Sequence, residues 1–453
     1  MGGVYRRQAG LADDVLCALV LPAAVYVSSS GGEAATAGVL AAVALFACLS
    51  EFHCESALSL GGGAAAVLTA GWALALPFGQ VARLALLAAA ELLTAGTLLT
   101  RGGGSATGGE ALLLGQAAAL LCAASAGQLP ELLLFGSPLY VSERAAVIHL
   151  LQTAFCLLLG LLLLLSYLPS ARQSAWLHLL LVLLAGAIIV TTSVIINTNC
   201  LLWMVEFATG SAPRLRLLTI WASLLGGAVL FAAALGASGS GGGLSRAVLR
   251  KLFHLLICAV FVPGLLYDPL LLLAASGGIT FLFIIAEIAR ACRLQPWADI
   301  IQRWFRPFLD SKDGGFLVLS NIFLVAACSG VLWYHAGEVT AAGRRQDLSL
   351  FAGVITVGIG DTVAAVVGSR YGRTRWPQSS KTIEGSLAAI AAQLLFCYAL
   401  DHTGYLYIGQ EMWRALCVAI GVTTLAEAFT AQADNLLLPP LFVIALRLAQ
   451  RHW

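Results

Sequence analysis

Apolar residues fill this chain in runs of about 20, separated by short breaks rich in Gly, Pro, Arg and Asp, a length that crosses hydrocarbon as a helix. The runs predict helices near 15–30, 34–50, 60–78, 81–99, 111–129, 145–168, 175–197, 215–236, 249–267, 269–289, 316–334, 348–368, 383–400, 410–430 and 435–449. None shows the residue-by-residue alternation of a membrane β-strand. The expected fold is therefore all-α: a polytopic transmembrane helical bundle of about 13–15 spans. The first run follows Asp13 and Asp14 without a convincing cleavage site, so it reads as a span and not as a removable leader.

Composition agrees with the pattern. Hydrophobic residues make up 60% and charged residues 11% of the 453, with a mean hydropathy of +0.90; soluble domains carry roughly 25% charge. The eleven cysteines are scattered, with no Cys-x-x-Cys pair, which supports neither a disulfide framework nor a zinc site. No segment offers the exposed basic face that nucleic-acid binding requires.

Charge is unevenly placed. Seventeen of the 25 Lys and Arg residues fall after the Gly/Ser-rich stretch at 236–243, which reads as a connector. The chain divides on this basis into 1–243, a Leu/Ala/Gly-rich scaffold region, and 244–453, the region expected to carry chemistry. In the latter, Arg246, Arg250 and Lys251, then Arg290, Arg293, Arg303, Arg306 and Lys312, then Arg370, Arg373, Arg375 and Lys381 occupy alternate loops. The intervening loops hold only Arg344 and Arg345. The positive-inside rule assigns the basic loops to the cytosolic face.

The polar groups near that face form several clusters. Gly358 and Gly360, with Asp361 and Thr362, combine a backbone that permits close approach with a carboxylate suited to Mg²⁺. Lys381, Thr382, Glu384 and Gly385 open the next helix, where ammonium, hydroxyl and helix N-terminus could meet a phosphate, with Ser379 and Ser380 beside them. Arg250 or Lys251 shares a helical face with His254. Glu287 and Arg290 are spaced to neutralise each other, and Asp310 and Asp313 precede a span. Glu427 is an intramembrane carboxylate with no obvious local partner, and Asp434 follows seven residues later on roughly the same face. Each cluster also has a plain structural reading: a packing notch, a helix cap or an interfacial anchor. Their agreement in side points to a phosphate-handling site. No Gly-x-x-x-x-Gly-Lys-Ser/Thr loop and no protein-kinase signature set is present, so a familiar soluble nucleotide fold is excluded.

The segments Arg250-Lys-Leu-Phe-His254, Phe308-Leu-Asp-Ser-Lys-Asp313, Gly358-Ile-Gly-Asp-Thr362, Gly368-Ser369, Arg375-Trp-Pro377, Lys381-Thr-Ile-Glu-Gly385 and Glu427 through Pro439 together resemble the dolichol kinase family. The resemblance runs in order over about 244–446. The Gly-Asp-Thr and Lys-Thr-x-Glu-Gly elements are shared with other polyprenol kinases and with CTP-using phosphatidate cytidylyltransferases; the Glu427–Pro439 stretch and the Arg-Trp-Pro loop are narrower.

The resemblance implies CTP-dependent phosphorylation of dolichol at the endoplasmic reticulum membrane, from the cytosolic side, in the service of protein glycosylation. It also implies that the loop from Gly368, Ser369 and Arg370 through Arg373 and Arg375 to Lys381 lies against CTP. In that scheme Asp361, with Asp434 or Asp313, holds Mg²⁺. Lys381 and Thr382 grip the β- and γ-phosphates, and Glu427 or Asp434 orients or deprotonates the alcohol. The alternatives are a cytidylyltransferase, which needs the same grip on phosphates, and a transporter with the ions lining its path.

Overall fold

The computed structural model describes residues 142–237, 246–305, 316–336, 347–430 and 433–452, with 110–118 and a few isolated positions before them. Most of the early apolar runs, up to residue 99, and the loop containing Asp310 and Asp313 lie outside the described residues. What is described is helical: α1 (Glu143–Tyr167), α2 (Ser174–Ile196), α3 (Cys200–Thr209), α4 (Ala212–Ala237), α5 (Arg246–Tyr267), α6 (Pro269–Ala291), α7 (Trp297–Phe305) and α8 (Ser320–Tyr334) come first. A 3₁₀ turn (Leu348–Phe351) then leads into a π-helical segment (Val354–Asp361) that continues as α9 (Thr362–Tyr371), followed by α10 (Ile383–His402), α11 (Gln410–Phe429) and α12 (Asp434–His452).

Among the described residues seven helical segments are long and apolar enough to cross a membrane, so the chain is a multi-spanning helical membrane protein. Shorter apolar helices at Cys200–Thr209, Lys251–Tyr267 and Ser320–Tyr334 pack among them. α1, α2 and α6 share one apolar cluster around Leu158, Leu177, Leu184 and Ile288. A larger core joins α5, α8, the π segment, α10, α11 and α12 through Phe351, Ile355, Leu416, Ile420, Phe442 and Leu446. Outward faces such as Val182, Leu183, Val190 and Val194 of α2 remain exposed, as a lipid-facing surface would.

The π segment is what separates the span at 348–371 from an ordinary helix. Its wider turns, which often mark functional sites, are wedged between α5 and α10. A side chain on Gly358 would collide with the Cys258 sulfur, and one on Gly360 would come within 2.7 Å of Gln393 Nε2. The two glycines thus admit neighbouring helices, and this close packing fixes where Asp361 emerges.

Candidate functional site

Two ionic groups face each other at one end of the bundle. The first centres on Asp361, the last residue of the π segment, which is buried. Its Oδ2 pairs with Lys251 Nζ, and His254 Nε2 lies 3.6 Å away. The i, i+3 spacing of Lys251 and His254 on α5 brings both to one carboxylate, as the sequence suggested; the side chain of Arg250 lies outside the described residues.

The second group centres on Lys381. Its Nζ is 3.0 Å from Glu427 Oε1 and 3.3 Å from Asp434 Oδ2. Glu427, expected to lack a local partner, finds one across the loop. Asp434 does not continue Glu427's helix: α11 ends at Phe429, Thr430 turns extended, and Asp434 opens α12. The two carboxylates converge because Lys381 bridges two helices, not through shared helical register. Burial alone would lower the Lys381 pKa, but Asp434, Glu427 and Asp361 outweigh it and hold the ammonium above the usual lysine value. Asp361 therefore acts on both groups.

The loop between α9 and α10 is pinned at nearly every step. Arg375 and Thr382 form a short antiparallel bridge. Trp376 N–H donates to the Lys381 carbonyl (3.0 Å) and Ile383 N–H to that of Thr374 (2.9 Å). Glu384 accepts from Thr374 N–H at 3.0 Å. Ser379 Oγ donates to the Ala428 carbonyl (2.6 Å) and accepts from Lys381 N–H (3.2 Å), tying the loop to the end of α11. The Trp376 indole donates to Ser386 Oγ (3.1 Å) and meets the Phe429 ring edge-on at 5.6 Å.

Several residues read from sequence as phosphate contacts have structural work here. Thr382 caps α10, its hydroxyl accepting from Gly385 N–H at 3.3 Å. Gly368 and Gly385 allow α9 and α10 to touch: a Cβ on Gly368 would stand 2.7 Å from Thr382 Oγ1, and one on Gly385 2.7 Å from the Ala364 carbonyl. Ser369 Oγ donates to the Val366 carbonyl at 3.1 Å. Ser380, Arg373 and Arg375 are exposed along the same loop, and Arg370 in the last turn of α9, with the Arg370 guanidinium 5.7 Å from the Tyr371 ring. Thr362, beside Asp361, is buried, and its hydroxyl has no hydrogen-bond partner among the described residues. Asp313 lies outside the described residues.

Three further polar groups were not picked out by spacing. Thr424, one helical turn before Glu427, and Gln393, packed against Gly360, are buried with side-chain oxygens that have no hydrogen-bond partner among the described residues. Glu110, in the region read as scaffold, donates neither charge nor spacing to any cluster in the sequence, yet reaches Ala433, the residue before Asp434. Its signal was a Thr107-x-x-Glu110 pattern, typical of a helix start.

Fold and site together define a multi-spanning membrane protein with a one-ended ionic site, built from five helices and a braced basic loop. A model of the dolichol kinase family matches residues 98–422, and the chain belongs to that family. It is 33% identical over 289 residues to the human protein "Dolichol kinase", covering 60% of this chain and 52% of that protein. It is 35% identical over 202 residues to "Dolichol kinase EVAN" of Arabidopsis thaliana, covering 44% and 35%. It is 29% identical over 255 residues to "Dolichol kinase" of Saccharomyces cerevisiae, covering 55% and 45%. The chain spans about half or less of the length of these curated relatives. No solved structure matches it. The family match begins well before residue 243, which extends the resemblance into the first region, and ends at 422, before Glu427.

Proposed function

We propose that this protein transfers the γ-phosphate of CTP to the hydroxyl of dolichol, at the cytosolic face of the endoplasmic reticulum membrane, making dolichyl phosphate for glycosylation. The observation that carries the reading is Lys381, held between Glu427 and Asp434 and braced by its loop against α10 and α11. Phosphoryl transfer depends on positioning and on neutralising charge over the transferring group. An ammonium fixed beside two carboxylates, next to exposed arginines, supplies both.

In this reading Lys381 holds the β- and γ-phosphates, and Arg373 and Arg375, exposed on the same loop, close over the nucleotide. The dolichol oxygen attacks the γ-phosphorus, the bond from that phosphorus to the β–γ bridging oxygen breaks, and CDP leaves. The hydroxyl proton passes to a carboxylate. Asp434 is well placed for it, since Oδ2 is engaged by Lys381 while Oδ1 is buried with no hydrogen-bond partner among the described residues. The polyprenol tail lies between spans in the bilayer, with only its hydroxyl reaching the site.

Mg²⁺ fits this donor set. Among the described residues no group of three His, Cys, Asp or Glu could cage a metal; Mg²⁺ typically binds through one or two carboxylates, phosphates and water. Asp361 is the residue to hold it, since its Lys251 and His254 contacts both fall on Oδ2, while Asp434 Oδ1 is left to take the proton. When bound, the ion neutralises charge on the phosphates.

CTP labelled separately at the α- and γ-phosphorus tests the proposal with purified protein, dolichol and phytol. The γ label alone should pass to dolichol, and chelation should stop transfer until Mg²⁺ is restored. Appearance of the α label on lipid, with pyrophosphate released, would assign a cytidylyltransferase instead. Substrate uptake into proteoliposomes without CTP consumption would assign a transporter.

A further inference from the structure

We infer that Glu110, from the region preceding the first fully described span, is a positioning residue for Asp434 and so for the Lys381 end of the site. The inference rests on the reading that Asp434 works in phosphoryl transfer. Glu110 is wholly buried, at 0% exposure, a rare state for a glutamate unless its charge is engaged. Glu110 N–H donates to Thr107 Oγ1 (3.2 Å), and Thr107 N–H donates to Glu110 Oε2 (3.1 Å). This reciprocal pair caps the helical stretch 110–118 and occupies one carboxylate oxygen.

The other oxygen does something a cap does not need. Glu110 Oε1 accepts from the backbone N–H of Ala433 at 2.7 Å, across 323 residues of chain. The Ala433 carbonyl in turn accepts from Leu436 and Leu437 N–H, so Ala433 is the residue from which α12 starts. The Glu110 carboxylate therefore satisfies an amide at the start of α12, where the helix dipole favours a negative charge. The next residue, Asp434, reaches Lys381. Fixing the Ala433 amide fixes the origin of α12, and with it the direction in which Asp434 leaves the backbone.

The same upstream segment holds a second incoming strand of chain. Ser105 Oγ accepts from Leu317 N–H at 2.7 Å. Glu287, paired with Arg290, accepts from Val318 N–H at 2.7 Å, and Arg290 donates to the Phe316 carbonyl at 2.7 Å. Ser105 and Glu110 thus clasp the approach to α8 and the start of α12.

The test compares Glu110→Ala, Thr107→Val, Asp434→Asn and the double variant Glu110→Ala/Asp434→Asn in the purified full chain. Two readouts are used: γ-label transfer from CTP to dolichol, and hydrogen exchange of the peptide spanning 433–437. Losing a buried hydrogen bond that sets geometry should slow transfer roughly 10- to 100-fold in Glu110→Ala. Thr107→Val, which removes the hydroxyl acceptor of the local cap, should stay within about 2-fold of wild type, since the Glu110–Ala433 bond survives. The double variant should be no slower than Asp434→Asn alone, because both changes remove one device. Exchange at 433–437 should quicken in Glu110→Ala and not in Thr107→Val. If Glu110→Ala yields no folded protein, Glu110→Gln, which keeps one acceptor oxygen, takes its place with an intermediate slowing expected. Equal slowing by Thr107→Val, or losses that multiply in the double variant, would overturn the inference. A wild-type protein that moves no γ label would instead defeat the functional reading, with the exchange data still reporting on the clasp.

Discussion

Lys251 and Lys381 are two of only three lysines in the chain, and each is paired with carboxylates from other helices. Lys251 and Asp361 are both largely buried. Removing one partner of such a pair leaves an uncompensated charge, at a cost of about 3–5 kcal/mol, whereas replacing both by apolar groups is often neutral. Lys251→Met should therefore lower the melting temperature of the detergent-solubilised protein markedly. Lys251→Met/Asp361→Leu should recover most of that loss while remaining inactive, which separates the pair's proposed catalytic role from its structural one. Lys381 behaves differently with pH. Its folded-state pKa is raised above the unfolded value of about 10.4. The stabilisation from its ion pairs is thus complete below that value and is lost only as pH rises through the folded-state pKa. The melting-temperature difference between wild type and Lys381→Met should stay constant from about pH 8 to about pH 10; a steady narrowing over that interval would contradict the assignment.

At the scale of elements, the α9–loop–α10 unit shows which motif residues serve the backbone. The Lys-Thr-x-Glu-Gly order was legible as a helix start beside a cation. That Thr382 spends its hydroxyl on a cap, that Glu384 braces Thr374, and that Gly385 makes room for α9 follow only from the fold. A motif records which residues must be kept, without distinguishing contact with substrate from contact with chain. Gly385→Ala should force α9 and α10 apart, costing about 1–3 kcal/mol and depressing transfer through the displaced loop. Gly330→Ala, where nothing lies within 4 Å of the added methyl, should be neutral or slightly stabilising. Thermal melts of the two variants side by side check the contrast.

At the scale of the whole molecule, a further ionic group marks the far end of the bundle. Arg214 donates from Nε to Asp268 (2.8 Å), from NH2 to Glu143 (2.9 Å) and from NH1 to the Phe207 carbonyl (2.8 Å), joining α1, α3, α4 and the start of α6. Asp268 follows the C-terminus of α5, which begins at the site. Seventeen residues of helix at about 1.5 Å each put the two ends roughly 25 Å apart. Arg214→Met should accordingly destabilise by about 3–5 kcal/mol while leaving the KM for CTP unchanged in the folded fraction. A shifted KM at unchanged stability would show the ends to be coupled.

The sequence by itself determined the helical membrane class, because apolar runs of spanning length admit no other solution for the backbone in lipid. It also singled out the polar residues near 250, 361, 381 and 427–434 as candidates, since ions are costly among such runs. The tertiary structure decided their partners. Lys381 joins Glu427 to Asp434 because a helix break at Thr430 turns the chain back, a π segment aims Asp361 at Lys251, and Glu110 reaches the start of α12 from 323 residues away. Periodicity reports which side of a helix a residue occupies. It carries no information about which other helix will be packed against that side, and the chemistry depends on that pairing.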